Sequence, residues 1–192
     1  VPQTWEEFDT ALAAAKAAGE TPIQLANIEQ WPAVHVFGPV QGANVDAEEI
    51  QKLGFGNPGA SWTTEQNVAA ASQLAGWSTA GYFNSGANGT DYDAAWQNLA
   101  KGDDVFLIGG SWLAADLEDA MGDDVGFFTP ANKAGEGAHT TGGTGIPFTV
   151  TTGSKHPDAA AAYIDFITSD EAMQILADTG NLPVVNTQDY AP

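Results

Sequence analysis

Asp104-Val105-Phe106-Leu107-Ile108-Gly109-Gly110-Ser111-Trp112 is the stretch on which the fold turns. The apolar run from Val105 to Ile108, fenced by Gly102 behind and the glycine pair ahead, has the length and composition of a strand buried on both faces. Beyond Trp112, Leu113, Leu117 and Met121 recur at steps of four and the pattern stops near Gly122, so the strand feeds a helix. Open α/β sheets hold ligands in the crevice beyond the carboxyl ends of their strands. Ser111 and Trp112 stand at such an end. The serine is placed to cap the helix, and the backbone N–H groups beside it can receive an anion or a polarised hydroxyl. The indole of Trp112 either faces a cleft or packs on the sheet, and this motif fits both.

Outward from that stretch, strands and helices alternate. Thr4-Trp5-Glu6-Glu7 matches a capping box and predicts a helix with Trp5, Phe8, Leu12 and Ala15 on one face and Gly19 as its stop. Pro22 to Ala26 reads as a short strand, Asn27 to Gln30 as a loop, and Trp31-Pro32 as the start of a helix whose first turn suits proline. Trp31 thus repeats the strand-to-helix placement of Trp112, and His35, four residues on, shares its face. Asp46 to Leu53 predicts a short helix. A longer one follows from Thr63 or Thr64, with Val68, Ala71, Leu74 and Ala75 on one side and Trp77 near its end. Tyr82 to Gly89 reads as a polar linker, and Thr90-Asp91-Tyr92-Asp93 starts a helix that ends at Gly102. Short strands are expected at Val125 to Phe128 and Ile146 to Val150, a glycine- and threonine-rich loop between them, and paired helices at Pro157 to Ile167 and Asp170 to Ala177. The pattern is that of an α/β unit.

Composition narrows the partners. The 192 residues carry 25 acidic side chains against five lysines and no arginine, a formal charge of −20. Nucleic acid requires a basic footprint and an anionic membrane a polybasic patch, so both are excluded. Carboxylate and phosphate ligands usually recruit the arginine fork, so its absence tilts a small-molecule ligand toward the neutral or cationic. The acidic bias itself has a simpler source in surface solubility, as in secreted or salt-adapted proteins. With no cysteine there is no disulfide framework, thiolate site or cysteine nucleophile. Val1-Pro2-Gln3-Thr4 opens directly on a helix signal without a charged or apolar leader, which predicts either a cytosolic protein or a processed or excised piece.

Most motifs carry no chemistry. Gly54-Phe55-Gly56-Asn57-Pro58-Gly59 matches the dinucleotide fingerprint in letters only, because a helix precedes it and Pro58 interrupts it. Asp91 and Asp93 are better explained by helix capping than by calcium. His35, His139 and His156 lack metal-ligand spacing, so no metal is expected, and nothing asks for a cofactor. No Gly-x-Ser-x-Gly elbow is present, and with so many acids a glycosidase pair can always be imagined. Asn88-Gly89-Thr90 is a glycosylation sequon by pattern alone. What does combine is two aromatics at strand-to-helix turns with the polar loop Thr140 to Gly145. Indole faces stack on the C–H face of a pyranose, hydroxyls bond to backbone N–H groups, Asn, Ser and Thr, and the glycines let the main chain approach.

The order of several short segments then becomes informative. Pro2-Gln3-Thr4-Trp5-Glu6-Glu7-Phe8, Thr21-Pro22-Ile23, Trp31-Pro32-Ala33, Gly81-Tyr82-Phe83, Gly109-Gly110-Ser111-Trp112, Thr141-Gly142-Gly143 and Asn181-Leu182-Pro183-Val184 run in sequence, with Pro157 to Ala160, Tyr163, Phe166 and Glu171 in the paired helices. Together they resemble the extracellular solute-binding proteins of ABC importers, in the carbohydrate-binding branch similar to maltose-binding protein. The resemblance implies two α/β lobes joined by crossing strands, of which this chain is similar to the C-terminal one: a periplasmic-binding-protein-like II lobe, a mixed sheet flanked by helices. Residues 1–146 would be that lobe. Residues 147–192 would hold a crossing strand and two helices that pack with an N-terminal lobe not in this chain. It further implies a non-enzymatic component that binds a neutral sugar or oligosaccharide and serves a membrane permease, located outside the cell or in the periplasm and lipid-anchored in its full-length form. Trp31 and Trp112 resemble ligand-stacking aromatics, Gly142 and Gly143 the loop that meets the ligand, and Asn27, His35 and Ser111 stand beside them. The rival readings are a carbohydrate-active hydrolase using paired acids, discriminated by turnover of a chromogenic glycoside, and an acidic interaction domain, discriminated by burial of both tryptophans under side chains.

Overall fold

The computed structural model describes residues 1–129, 132–133, 147–183 and 187–190. Contacts divide the chain into two compact units, Val1–Gly109 with Asp123–Gly143, and Gly110–Gly122 with Thr144–Pro192.

The first unit begins with α1 (Trp5–Ala18). Its cap forms as expected, Thr4 Oγ1 accepting from the Glu7 N–H at 3.2 Å. The Glu7 carboxylate accepts from the Gln3 N–H at 2.7 Å, one residue earlier than in the standard box, and Gly19 closes the helix at φ 91°. There follow β1 (Thr21–Gln24), α2 (Pro32–Asn44), α3 (Ala47–Gly54), α4 (Glu65–Thr79), α5 (Tyr92–Lys101) and β2 (Asp104–Leu107). β1 and β2 pair in parallel, Thr21 opposite Asp104 and Ile23 opposite Phe106, and Ile23 also bridges Phe83. Parallel strands linked through helices make this an α/β unit.

The core gathers around α1. Phe8 presents its ring edge-to-face to Trp5, Trp77, Phe106 and Phe128 at centroid distances of 5.3–6.0 Å, and Trp5 stacks on Trp77 at 5.9 Å. Leu12, Ile23, Val36, Val40 and Ala70 complete it. Several polar side chains enter it in hydrogen-bonded pairs. Gln41 donates to Asn67 Oδ1 at 2.6 Å, while Asn67 donates to Thr64 Oγ1 at 2.8 Å. Asp9 accepts from Gln73 and from the Trp77 indole N–H at 3.2 Å. These bonds offset the desolvation that burial imposes.

Three expectations for this unit are corrected. α4 buries Asn67, Ala70 and Trp77 rather than the stripe through Val68 and Ala71, and Val68 is 52% exposed. A hydrogen-bonded asparagine occupies the place an apolar residue would hold, so the apolar pattern points to the wrong side. β2 is not buried on both faces. Asp104 is buried and Val105 exposed, because among the described residues β1 alone flanks it. Val125 to Phe128 forms no strand. Its ring at Phe128 packs against Phe8 and Phe106, so burial of one side chain replaces ladder pairing.

The second unit holds α6 (Ala114–Met121), preceded by a single 3-10 turn at Ser111–Leu113, then α7 (Pro157–Ile167), α8 (Asp170–Asp178) and a short α9 (Thr187–Tyr190). Leu113 is buried and Leu117 and Met121 half-buried, which continues the predicted stripe. α7 and α8 lie where expected, and Ser169 caps α8 by accepting from the Ala172 N–H at 3.3 Å. Tyr190 O–H donates to Asp170 at 2.8 Å and ties α9 to α8. Residues 147–150 are exposed and form no strand among the described residues; Ile146 lies outside them. A strand needs a neighbour to accept its ladder bonds.

Candidate ligand-binding site

In the first unit the chain leaves β1 at its carboxyl end and reaches Trp31 through the tight loop Asn27–Gln30. Gln30 is the non-glycine residue at positive φ, 69°, among the described residues, and its N–H donates to the Asn27 carbonyl at 3.1 Å. Such a backbone is costly for a residue with a Cβ and persists where surrounding bonds hold it. They come from a loop some sixty residues on. Asn27 N–H donates to the Ala87 carbonyl at 2.8 Å, Ile28 N–H to the Thr90 carbonyl at 3.2 Å, and Asn27 Nδ2 to Asn88 Oδ1 at 2.9 Å. Asn27 Oδ1 also accepts from the Ala33 N–H at 3.2 Å, on the opening turn of α2. Asn27 is therefore the joint between two loops and a helix.

Trp31 sits at the N-cap of α2, 38% exposed. His35 meets it at 5.1 Å, edge-to-face, as the four-residue spacing predicts. Tyr92, at the start of α5, meets it from the other loop at 4.5 Å with a 50° tilt. Nothing in the sequence pointed to Tyr92 or Asn88, which read as a helix start and a sequon; the one available signal was a tyrosine directly after the capping Asp91. Asp91 does cap, accepting from the Ala94 N–H at 2.8 Å. A cavity of about 770 Å³ opens between α2, α4 and the loop Phe83–Gly89, lined by Leu25, Phe37, Leu74 and Phe83 and reached by Asn27 and Asn88.

Ser111 and Trp112 belong to the second unit. Trp112 is 48% exposed, and its ring folds back over Gly110 so closely that a Cβ there would overlap it. The glycine is thus a requirement of the indole's position. Ser111 does not cap the helix as expected: it is the first residue of the 3-10 turn, Gly110 takes the N-cap place, and no side chain makes the cap bond. Gly142 and Gly143 lie outside the described residues.

Electrostatically, Lys52 pairs with Glu48 at 3.1 Å and Glu49 at 2.7 Å, and with 25 acidic residues against five lysines most of the negative charge has no cation to meet it. Glu29 lies two residues before Trp31 and Asp91 directly before Tyr92, the ring that meets it, which disfavours an anionic ligand there. The chemistry on offer is aromatic faces, amide groups and backbone, suited to a neutral hydroxyl-rich or a cationic molecule.

Residues 1–190 match the family model described as "bacterial extracellular solute-binding protein". The chain belongs to this family. The proteins of this family are extracellular. It is 27% identical over 198 residues to the multiple sugar-binding protein of Streptococcus mutans serotype c (strain ATCC 700610 / UA159), covering 96% of this chain and 45% of that one. Among solved structures, a chitin oligosaccharide binding protein aligns with TM-score 0.72 at 21% identity, covering 95% of this chain and 47% of that one. The solute-binding protein RafE in complex with raffinose aligns with TM-score 0.64 at 22% identity, covering 94% and 48%. These alignments establish the α/β solute-binding fold. The chain spans about half the length of the relatives it matches.

Proposed function

We propose that this chain is one lobe of the substrate-binding component of an ABC importer for a neutral sugar or oligosaccharide, which it holds without catalysis and delivers to a membrane permease. Trp31 and Trp112 are the stacking faces. Gly142, Gly143, Ser111, His35 and Asn27 complete the ligand surface, Asn27 by holding the loop before Trp31. Residues 1–146 form the C-terminal lobe, and residues 147–192 return to an N-terminal lobe outside this chain; the full-length protein is held at the membrane as a lipoprotein. The observation that carries the reading is the exposed indole of Trp31 at the carboxyl end of β1, bracketed by two further rings, in a chain of this family. The names of its relatives add weight, since they include binders of multiple sugars, chitin oligosaccharide and raffinose. Exposed rings on α7, Tyr163 and Phe166, support packing against a partner lobe.

Calorimetric titration of the full-length protein with raffinose, stachyose and a chitin oligosaccharide tests this. At least one sugar binds and is recovered unhydrolysed, and Trp31→Ala and Trp112→Ala each weaken it on the order of tenfold. Binding untouched by both substitutions, or turnover of the sugar, overturns the reading.

A further inference from the structure

We infer that Tyr92 is a positioning residue for ligand binding, holding the Trp31 indole in its ligand-ready orientation. The inference rests on the stacking role proposed for Trp31 and deepens it.

An indole at a helix N-cap, more than a third exposed, has several rotamers open to it, and a ligand that must select one loses affinity to that ordering. Trp31 is held from two sides. His35 lies on the same helix and approaches the ring edge-to-face. Tyr92 comes from α5, and its centroid lies closer, at 4.5 Å. This ring contact ties the orientation of Trp31 to a second loop. The backbone repeats the connection, since the Tyr92 N–H donates to the Glu29 carboxylate at 3.4 Å, beside the three bonds that join Asn27 and Ile28 to residues 87–90. These bonds hold Gln30 at positive φ, and that conformation sets the direction in which the chain presents Trp31. Neither Trp31 nor Tyr92 belongs to the hydrophobic core of the unit, which gathers around Phe8. The loop 87–92 therefore serves the aromatic platform more than the fold.

A double-mutant cycle in the full-length protein, titrated with raffinose, stachyose and a chitin oligosaccharide, tests the inference. Tyr92→Ala is expected to weaken binding up to about tenfold, the range of one aromatic pair. Tyr92→Phe keeps the ring and restores it. In the Trp31→Ala background Tyr92→Ala costs nothing further, because its effect passes through the indole. An equal loss in both backgrounds, or no loss while Trp31→Ala weakens binding, overturns the inference and leaves the stacking role standing. If Trp31→Ala itself changes nothing, the stacking role fails instead. A ligand-free measurement decides the geometry alone: the indole N–H resonance of Trp31 in a 15N spectrum shifts in Tyr92→Ala and stays in place in Tyr92→Phe. An unmoved resonance in Tyr92→Ala overturns the inference whatever the titrations give.

Discussion

The two units bury their apolar residues to very different degrees. In the first, α1 delivers Trp5, Phe8 and Leu12 into a core shared with β1, α2, α3, α4, Phe106 of β2 and Phe128. In the second, Leu113 and Met173 are buried, while Tyr163, Phe166, Phe148 and Ile175 remain exposed on helices and a segment of ordinary amphipathic make-up. Both use the same local devices, including serine and threonine caps and proline at a first turn. The difference teaches that caps and periodicity form helices, whereas stability comes from what the apolar face meets.

Loss of the central ring strikes hardest. Phe8→Ala removes one partner from four aromatic contacts and is expected to destabilise the first unit by about 3–5 kcal/mol in denaturant titration. Met173→Ala should cost about 2 kcal/mol and leave the first unit's transition unchanged. If it melted both together, the units would be one cooperative body and the contrast would fail.

A weaker effect concerns acid. Burial, helped by the Asp103 charge, raises the Asp104 carboxyl from 3.8 to about 6. With its amide oriented to satisfy the network, Gln24 donates to both Asp104 oxygens at 2.8 and 3.0 Å and accepts from Asn98 at 3.1 Å. The folded pKa exceeds the unfolded one, so the folded chain binds the proton more tightly and stability rises as pH falls from above 6 to below 4. Thermal melts of the first unit should show this gain, and Asp104→Asn should abolish its pH dependence. A melting temperature that falls steadily through this window in the native protein, unchanged in Asp104→Asn, would contradict the assignment.

The smallest effect sharpens the contrast. Thr4→Ala and Ser169→Ala each delete one cap bond worth about 1 kcal/mol. In α1 the loss is spread over a packed helix. In α8 it should appear as faster amide exchange in the first turn, since little burial holds that end. Equal exchange in the two helices would show that α8 is as well supported as α1.

Much of this was readable from short spans. The ends of α1, α5, α7 and α8 follow from Thr4, Gly19, Asp91, Gly102 and Ser169, acting through bonds to residues at most four or five away, and from Pro157, acting through its fixed φ. The neighbourhood of Trp31 and His35 followed from helical spacing. Tyr92 and Asn88 did not, because their partners lie about sixty residues earlier and no local pattern records a loop-to-loop bond. The buried side of α4 was misread for a related reason: Asn67 is polar in isolation and becomes a core residue once Gln41 and Thr64 complete its hydrogen bonds.

The order of residues along the chain therefore settles most of the helices, the acidic charge and the likeness to solute-binding proteins. Those depend on composition and on contacts within a turn or two. The fold in three dimensions settles which faces are buried, that Phe128 packs instead of pairing, that Ser111 leaves its helix uncapped, and that Trp31 is held by Tyr92. Burial and orientation depend on partners that only chain closure brings within reach, and their free energy resides in removing water between distant segments.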